Sequence, residues 1–154
     1  MAKQKRERAT IKDNPFVGQH RYTLYKMAIR QFNNAIEQGF YLEAITICES
    51  MIADRLESRC EELNKPLGFQ MLGKLIKTLK QVEVDKELRG VVINDLDEWR
   101  LNRNTALHEI VKFEKGEFPD WENRVEVSKV YAEEGMAIFR KIDTRMSKIR
   151  RENQ

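Results

Sequence analysis

A chain of 154 residues, 41% of them hydrophobic and 34% charged, has the composition of a single globular domain with a solvated surface. It contains no apolar run of 18 residues, and its basic start is followed by no apolar segment, which argues against a transmembrane helix and a secretory signal. We therefore expect a soluble, cytoplasmic protein with no membrane partner. The net charge of +3 is too small to identify a nucleic-acid-binding protein by itself.

The first part of the chain, residues 1–19, is polar and basic and is predicted to form a flexible arm before a helical domain at 20–151. Basic residues gather at both ends of the chain, in 3–8 and again in 140–151. One interpretation is a solubilising tail together with cations that suit a helix C-terminus. The other is a rim that attracts phosphate groups.

Apolar residues recur at the three- and four-residue spacing of amphipathic helices. The first helix is predicted over 20–38, with Gly39 at its end, and the second over 40–64, where Pro66 breaks the pattern. The connection between them is so short that they should be antiparallel neighbours.

A weaker pattern over 67–81 predicts a shorter third helix that begins late, because Gly68 and Gly73 each lower helix propensity by about 1 kcal/mol. Asp85 is a suitable N-cap for the fourth helix. Its apolar stripe is predicted to continue from Leu88, through the polar segment described below, to Val111.

The break around Gly116 and Pro119 precedes a last helix, for which Asp120 marks the N-terminus. No segment of useful length has the alternating period of a strand. The sequence therefore predicts an all-α, up-and-down bundle of about five helices.

The two cysteines, Cys48 and Cys60, are twelve residues apart on one predicted helix, which separates them by roughly 18 Å. We expect them to be buried thiols in a reducing compartment. No Cys/His cluster has zinc spacing and no acidic loop has calcium spacing, so the sequence predicts neither a metal site nor a cofactor.

The candidate site lies between Trp99 and Glu109, where Arg103 and Asn104 are followed after three residues by His108. On a regular helix Asn104 and His108 face the same way, so the amide could hold the imidazole in one orientation. The same four-residue spacing extends the row to Arg100 and Lys112. The other histidine, His20, has no such pattern and is predicted to be a loop residue.

Arg103 lies five residues before His108, and on an ideal helix the two diverge by about 140°. Either the helix is locally distorted, or Arg103 reaches around it, or a second subunit completes the site. A guanidinium can stabilise the charge that builds on phosphorus, and a histidine can take the 2′-hydroxyl proton of RNA or protonate the leaving 5′-oxygen. These residues suit metal-independent RNA cleavage. The alternative is a partly buried histidine with polar neighbours on a surface helix.

The R-N-x-x-x-H spacing, on a late helix followed by one more, resembles the HEPN superfamily (higher eukaryotes and prokaryotes nucleotide-binding domains). The resemblance covers about residues 20–150 in arrangement and three positions in sequence, and the segment 41–56 is similar to the long second helix of such domains. It implies that Arg103 and His108 are the catalytic pair and that Asn104 supports them. It also implies a homodimer whose two motif helices line one cleft.

The resemblance further implies a metal-independent endoribonuclease of toxin–antitoxin, phage-exclusion or related defence systems. Arg100 and Lys112 would then contact RNA, and an inhibitor or antitoxin protein would be a partner. Several toxin branches carry a modifiable tyrosine two residues after the histidine, whereas this chain has Ile110, which argues against inhibition by that route. Two alternatives remain open: a non-catalytic module that binds RNA or a partner protein, and a purely structural helical subunit.

Overall fold

The structure is a computed structural model that describes residues 6–154. Within this range the chain forms five continuous helices and no strand. The helices are α1 (Val17–Gln38), α2 (Tyr41–Glu62), α3 (Leu72–Val82), a fourth that comprises α4 (Lys86–Gly90), a π-helical segment (Val91–Leu96) and α5 (Asp97–His108), and finally α6 (Trp121–Glu152). The predicted all-α bundle of five helices is confirmed.

The helix ends follow the local signals of the sequence. Gly39 adopts the left-handed conformation, with φ of 77°, and its N–H closes the end of α1. The Asp85 carboxylate accepts a hydrogen bond from Leu88 N at 2.8 Å and so caps α4, as predicted. Asp120 caps α6 in the same way through Glu122 N at 3.1 Å.

The core is built around α2, which packs against α1, α3, α5 and α6. Its side chains Ile45, Ile52 and Leu56 are fully buried, as are Ile142 and Met146 of α6. Burying a large aliphatic side chain contributes about 1.5–3 kcal/mol, so this central contact contributes strongly to stability. Among residues 6–154, no helix is both long and apolar enough to cross a bilayer.

Both cysteines are free and buried on α2, as the sequence predicts. Burial raises the pKa of the Cys48 thiol to about 12 and that of Cys60 to about 11. At neutral pH both sulfurs are therefore protonated core groups without thiolate reactivity.

The fourth helix differs from its prediction in two ways. Its middle, Val91–Leu96, is π-helical, with one more residue per hydrogen-bonded turn than an α-helix. The predicted continuation to Val111 is wrong, because α5 ends at His108. The reason is a contact from the next helix: the Arg124 guanidinium donates hydrogen bonds of 2.6–2.7 Å to the carbonyls of Glu109, Ile110 and Lys112. These carbonyls thus accept hydrogen bonds from Arg124 in place of the backbone N–H groups of a continuing helix.

The segment before α1 also differs from the predicted arm over the residues that the structure describes; residues 1–5 lie outside them. Here α1 begins at Val17, so the supposed loop residue His20 is helical. Arg8 is buried against α2 and pairs with Asp54 at 2.8 Å and Glu61 at 3.0 Å. A charge of this kind is buried only when it is paired, and the carboxylates of α2 supply the partners that allow the segment to pack against the bundle.

Candidate functional site

The motif helix α5 is fixed in rotation by Trp99. This side chain is 1% exposed, and its Nε1 donates a hydrogen bond of 2.7 Å to the Tyr131 carbonyl on α6. Its ring lies directly over Gly135, where a Cβ atom would come within 2.6 Å of Cζ2. With Trp99 directed into the bundle, the buried face of α5 also contains Arg103 and Ala106.

Arg103 lies at the contact between α5 and α2. Its Nη2 donates to Glu49 Oε1 at 2.7 Å and its Nη1 to Asn104 Oδ1 at 2.6 Å, while the buried Nε has no hydrogen-bond partner among residues 6–154. Burial lowers the pKa of the guanidinium, and the Glu49 charge opposes that effect. Within one chain, Arg103 therefore serves as an interhelical contact.

Asn104 is half-buried and uses its amide oxygen to accept from Arg103. Among the described residues it makes no hydrogen bond to His108, the contact that the spacing predicts. Asn104 therefore orients the guanidinium in this structure instead of the imidazole.

His108 is the last residue of α5 and is exposed. Its side chain forms no hydrogen bond within residues 6–154, and it lies on the face of α5 opposite to the buried one that contains Arg103. The structure thus leaves the imidazole open to a molecule from solution and does not join it to Arg103 within one chain.

The two flanking cations are placed differently from each other. Arg100 is half-buried, pairs with Asp97 at 3.1 Å and lies against Gly73 of α3. Lys112 is exposed and follows the end of α5, so the predicted row of four on one helix stops at His108. Only Arg100, Asn104 and His108 keep the four-residue helical spacing.

Three of the basic residues near the two ends, Arg6, Arg8 and Arg150, line one open groove of about 1160 Å³. Most of its arginines are already paired with carboxylates: Arg150 with Glu62 at 2.5 Å, and Arg8 as described above. Paired guanidiniums offer few free donors to phosphate, so these contacts give no support to the interpretation of the terminal cations as a rim that attracts phosphate groups.

Two residues of the site were missed by sequence reasoning. Glu49 is an acidic residue next to the apolar stripe of α2, and Arg124 lies one turn into α6. Both act on the motif from helices that are distant in sequence, so no local spacing identifies them. The sequence offers one indication for Glu49. It is an acidic residue beside the apolar stripe of α2, and a buried arginine requires such a partner.

No family model, curated protein or solved structure matches this chain. Among residues 6–154, no three His, Cys, Asp or Glu side chains are grouped in a way that could hold a metal ion.

Proposed function

We propose that this protein is a metal-independent endoribonuclease of the HEPN type that acts as a cytoplasmic homodimer in phage defence, toxin–antitoxin or similar growth control. The observation that supports it best is the exposed imidazole of His108 at the end of α5. One turn earlier on the same helix, Asn104 orients the guanidinium of Arg103. A histidine in this position can exchange a proton with RNA that approaches from solution.

In this proposal, a phosphate group of RNA replaces Glu49 as the partner of the Arg103 guanidinium. Glu49 Oε1 binds its Nη2 now, and a phosphate oxygen presents a similar acceptor to the same guanidinium. Because His108 lies on the other face of α5, the second copy in a homodimer supplies the complementary residue of each pair. RNA carries its own 2′-hydroxyl nucleophile, so neither a metal ion nor a covalent enzyme intermediate is required.

The second candidate is a non-catalytic module that binds RNA or a partner protein. The ion pair between Arg103 and Glu49 favours it, because that pair gives Arg103 a structural role without catalysis. The two candidates differ in whether bound RNA is cut.

The decisive experiment is RNA cleavage by the purified chain in the presence of a chelator, with wild type and His108→Ala compared. We expect wild type to cut RNA and leave 2′,3′-cyclic phosphate ends, and His108→Ala to lose about 10²-fold or more, the usual contribution of a general acid–base group. Removal of metal should change nothing.

The matched control is His20→Ala, since His20 is the other histidine and is exposed on α1. It should cut RNA like wild type. Equal cleavage by His108→Ala would reject the endoribonuclease. RNA that wild type binds intact, with a salt-dependent affinity, would favour the binding module.

A further inference from the structure

The segment between α5 and α6 exposes an unusual share of aromatic surface. Phe118 is 94% exposed, Phe113 60%, Trp121 56% and Val111 76%. A single exposed apolar residue needs no explanation, whereas several exposed aromatic residues on one short segment make that segment a candidate interaction surface. We call residues 109–122, which comprise this connection and the first two residues of α6, the acidic aromatic loop, for the charge described below.

Hydrogen bonds hold this loop at both ends. Arg124 fixes three carbonyls at its beginning, and the Asp120 side chain closes its end on Glu122 N. Between them, Glu117 N donates to the Glu114 carbonyl at 3.1 Å in a tight turn. A loop held in this way presents its side chains without a large entropic cost on binding.

The charge of the loop is opposite to that of the chain. Its five acidic residues outnumber its two lysines and give it a net charge of −3, whereas the chain is +3. The acidic residues are Glu109, Glu114, Glu117, Asp120 and Glu122, and the lysines are Lys112 and Lys115. Within residues 6–154, none of these seven side chains takes part in the ion pairs that link the helices elsewhere in the bundle.

We propose that the acidic aromatic loop binds a cationic, amphipathic segment of a partner protein. Carboxylates that form no ion pair within residues 6–154 can accept the forked donors of arginine, and the faces of Phe113, Phe118 and Trp121 can pack against apolar side chains or cations. A nucleic acid fits this surface poorly, because a net charge of −3 repels phosphate. Binding of such a segment does not depend on RNA cleavage. Because the loop starts directly after His108, a bound segment would cover that histidine.

The test is selection of a displayed library of random peptides on the full wild-type chain, followed by measurement of their binding to the double variant Phe113→Ala/Phe118→Ala. We expect enriched peptides that are rich in Arg and Lys, with apolar residues at helical spacing. A synthetic enriched peptide should bind wild type more tightly at low salt and the double variant at least about ten-fold more weakly, as for the loss of interface anchors. It should also shift the emission of Trp121, and this change should be lost in Trp121→Phe, where only the buried Trp99 remains.

The control variant is Tyr22→Ala/Phe69→Ala, which removes two exposed aromatic residues elsewhere on the molecule. It should bind the peptide like wild type. The replaced residues are all exposed, and unchanged urea unfolding of each variant would show that the fold is kept.

Four results would overturn the proposal. The enriched peptides could be neutral or acidic, or the double variant could bind them as tightly as wild type. A single-stranded RNA oligonucleotide could shift Trp121 emission in wild type but not in the double variant. Finally, sedimentation could show a wild-type dimer that this variant dissociates, which would assign the loop to a second copy of the chain.

Discussion

At the scale of single residues, the central feature is the buried guanidinium of Arg103. It binds the Glu49 carboxylate and the Asn104 amide, and its Nε has no partner among residues 6–154. A buried charge is tolerated when it is paired, and loss of its partner costs more than the pair itself contributes. Arg103 and Glu49 are therefore expected to stabilise the contact between α5 and α2 as a unit.

Replacing Glu49 by Gln tests this dependence. We expect the free energy of unfolding to fall by about 1–3 kcal/mol, somewhat below the 3–5 kcal/mol of fully buried pairs because Glu49 retains some exposure. The measurement is urea unfolding. Glu43→Gln, an exposed carboxylate on the same helix, should change stability by less than about 0.5 kcal/mol. Equal losses in both variants would show that Arg103 does not depend on Glu49.

The residues of the motif could be found from the sequence, but their contacts could not. The spacing of Asn104 and His108 predicts a common face, and only the packing of α5 on α2 shows that Arg103 takes the asparagine oxygen. A local pattern specifies which side chains are neighbours on one helix. It does not specify which residue of another helix competes for them.

At the scale of elements, periodicity and capping residues were sufficient for most helices. Asp85, Gly39 and Asp120 act within one turn of their own positions, so their roles are local and can be predicted. The π-helical segment and the end of α5 escaped prediction. The latter depends on Arg124, which is sixteen residues beyond His108 and supplied by another helix.

The packing of α5 on α6 gives a prediction of its own. Gly135→Ala should lower the free energy of unfolding by about 1–3 kcal/mol, since the new Cβ would overlap the rigid, buried ring of Trp99. This loss should exceed the gain of about 1 kcal/mol that alanine brings to a helix interior. Thermal or urea unfolding measures the difference.

The control for this substitution is Gly90→Ala. Gly90 is helical, and nothing lies within 4 Å of a Cβ at that position. We expect it to stabilise the protein slightly. A neutral Gly135→Ala would mean that α6 can move away from Trp99.

At the scale of the whole molecule, ion pairs join helices that are distant in sequence. Arg145 near the end of α6 binds Asp85 at the start of α4 through two hydrogen bonds, and Arg150 reaches Glu62 on α2. The end of the long last helix is thus attached to two other helices.

This attachment predicts a response to acid. The hydrogen bonds from Arg145 lower the pKa of Asp85 from 3.8 to about 2. An acid whose pKa is lowered by folding contributes stability that is complete above its unfolded value and is lost as pH falls through the folded one. The difference in unfolding free energy between wild type and Asp85→Asn should therefore be constant above about pH 5 and shrink between about pH 4 and pH 2.

Urea unfolding of both proteins at several pH values measures that difference. Asp95→Asn serves as control, because Asp95 and Lys141 form an exposed pair that contributes little at any pH. If the difference for Asp85→Asn stayed constant down to about pH 2, the pair with Arg145 would not stabilise the fold through its charge.

The three hydrogen bonds of Arg124 have a consequence for how the molecule can diverge. They fix the chain up to Lys112, so the position of His108 is settled before the segment 113–119 begins. Insertions or deletions there would change the length of the loop without displacing the histidine. The length of this segment and the position of the histidine can therefore vary independently, with Arg124 as the boundary between them.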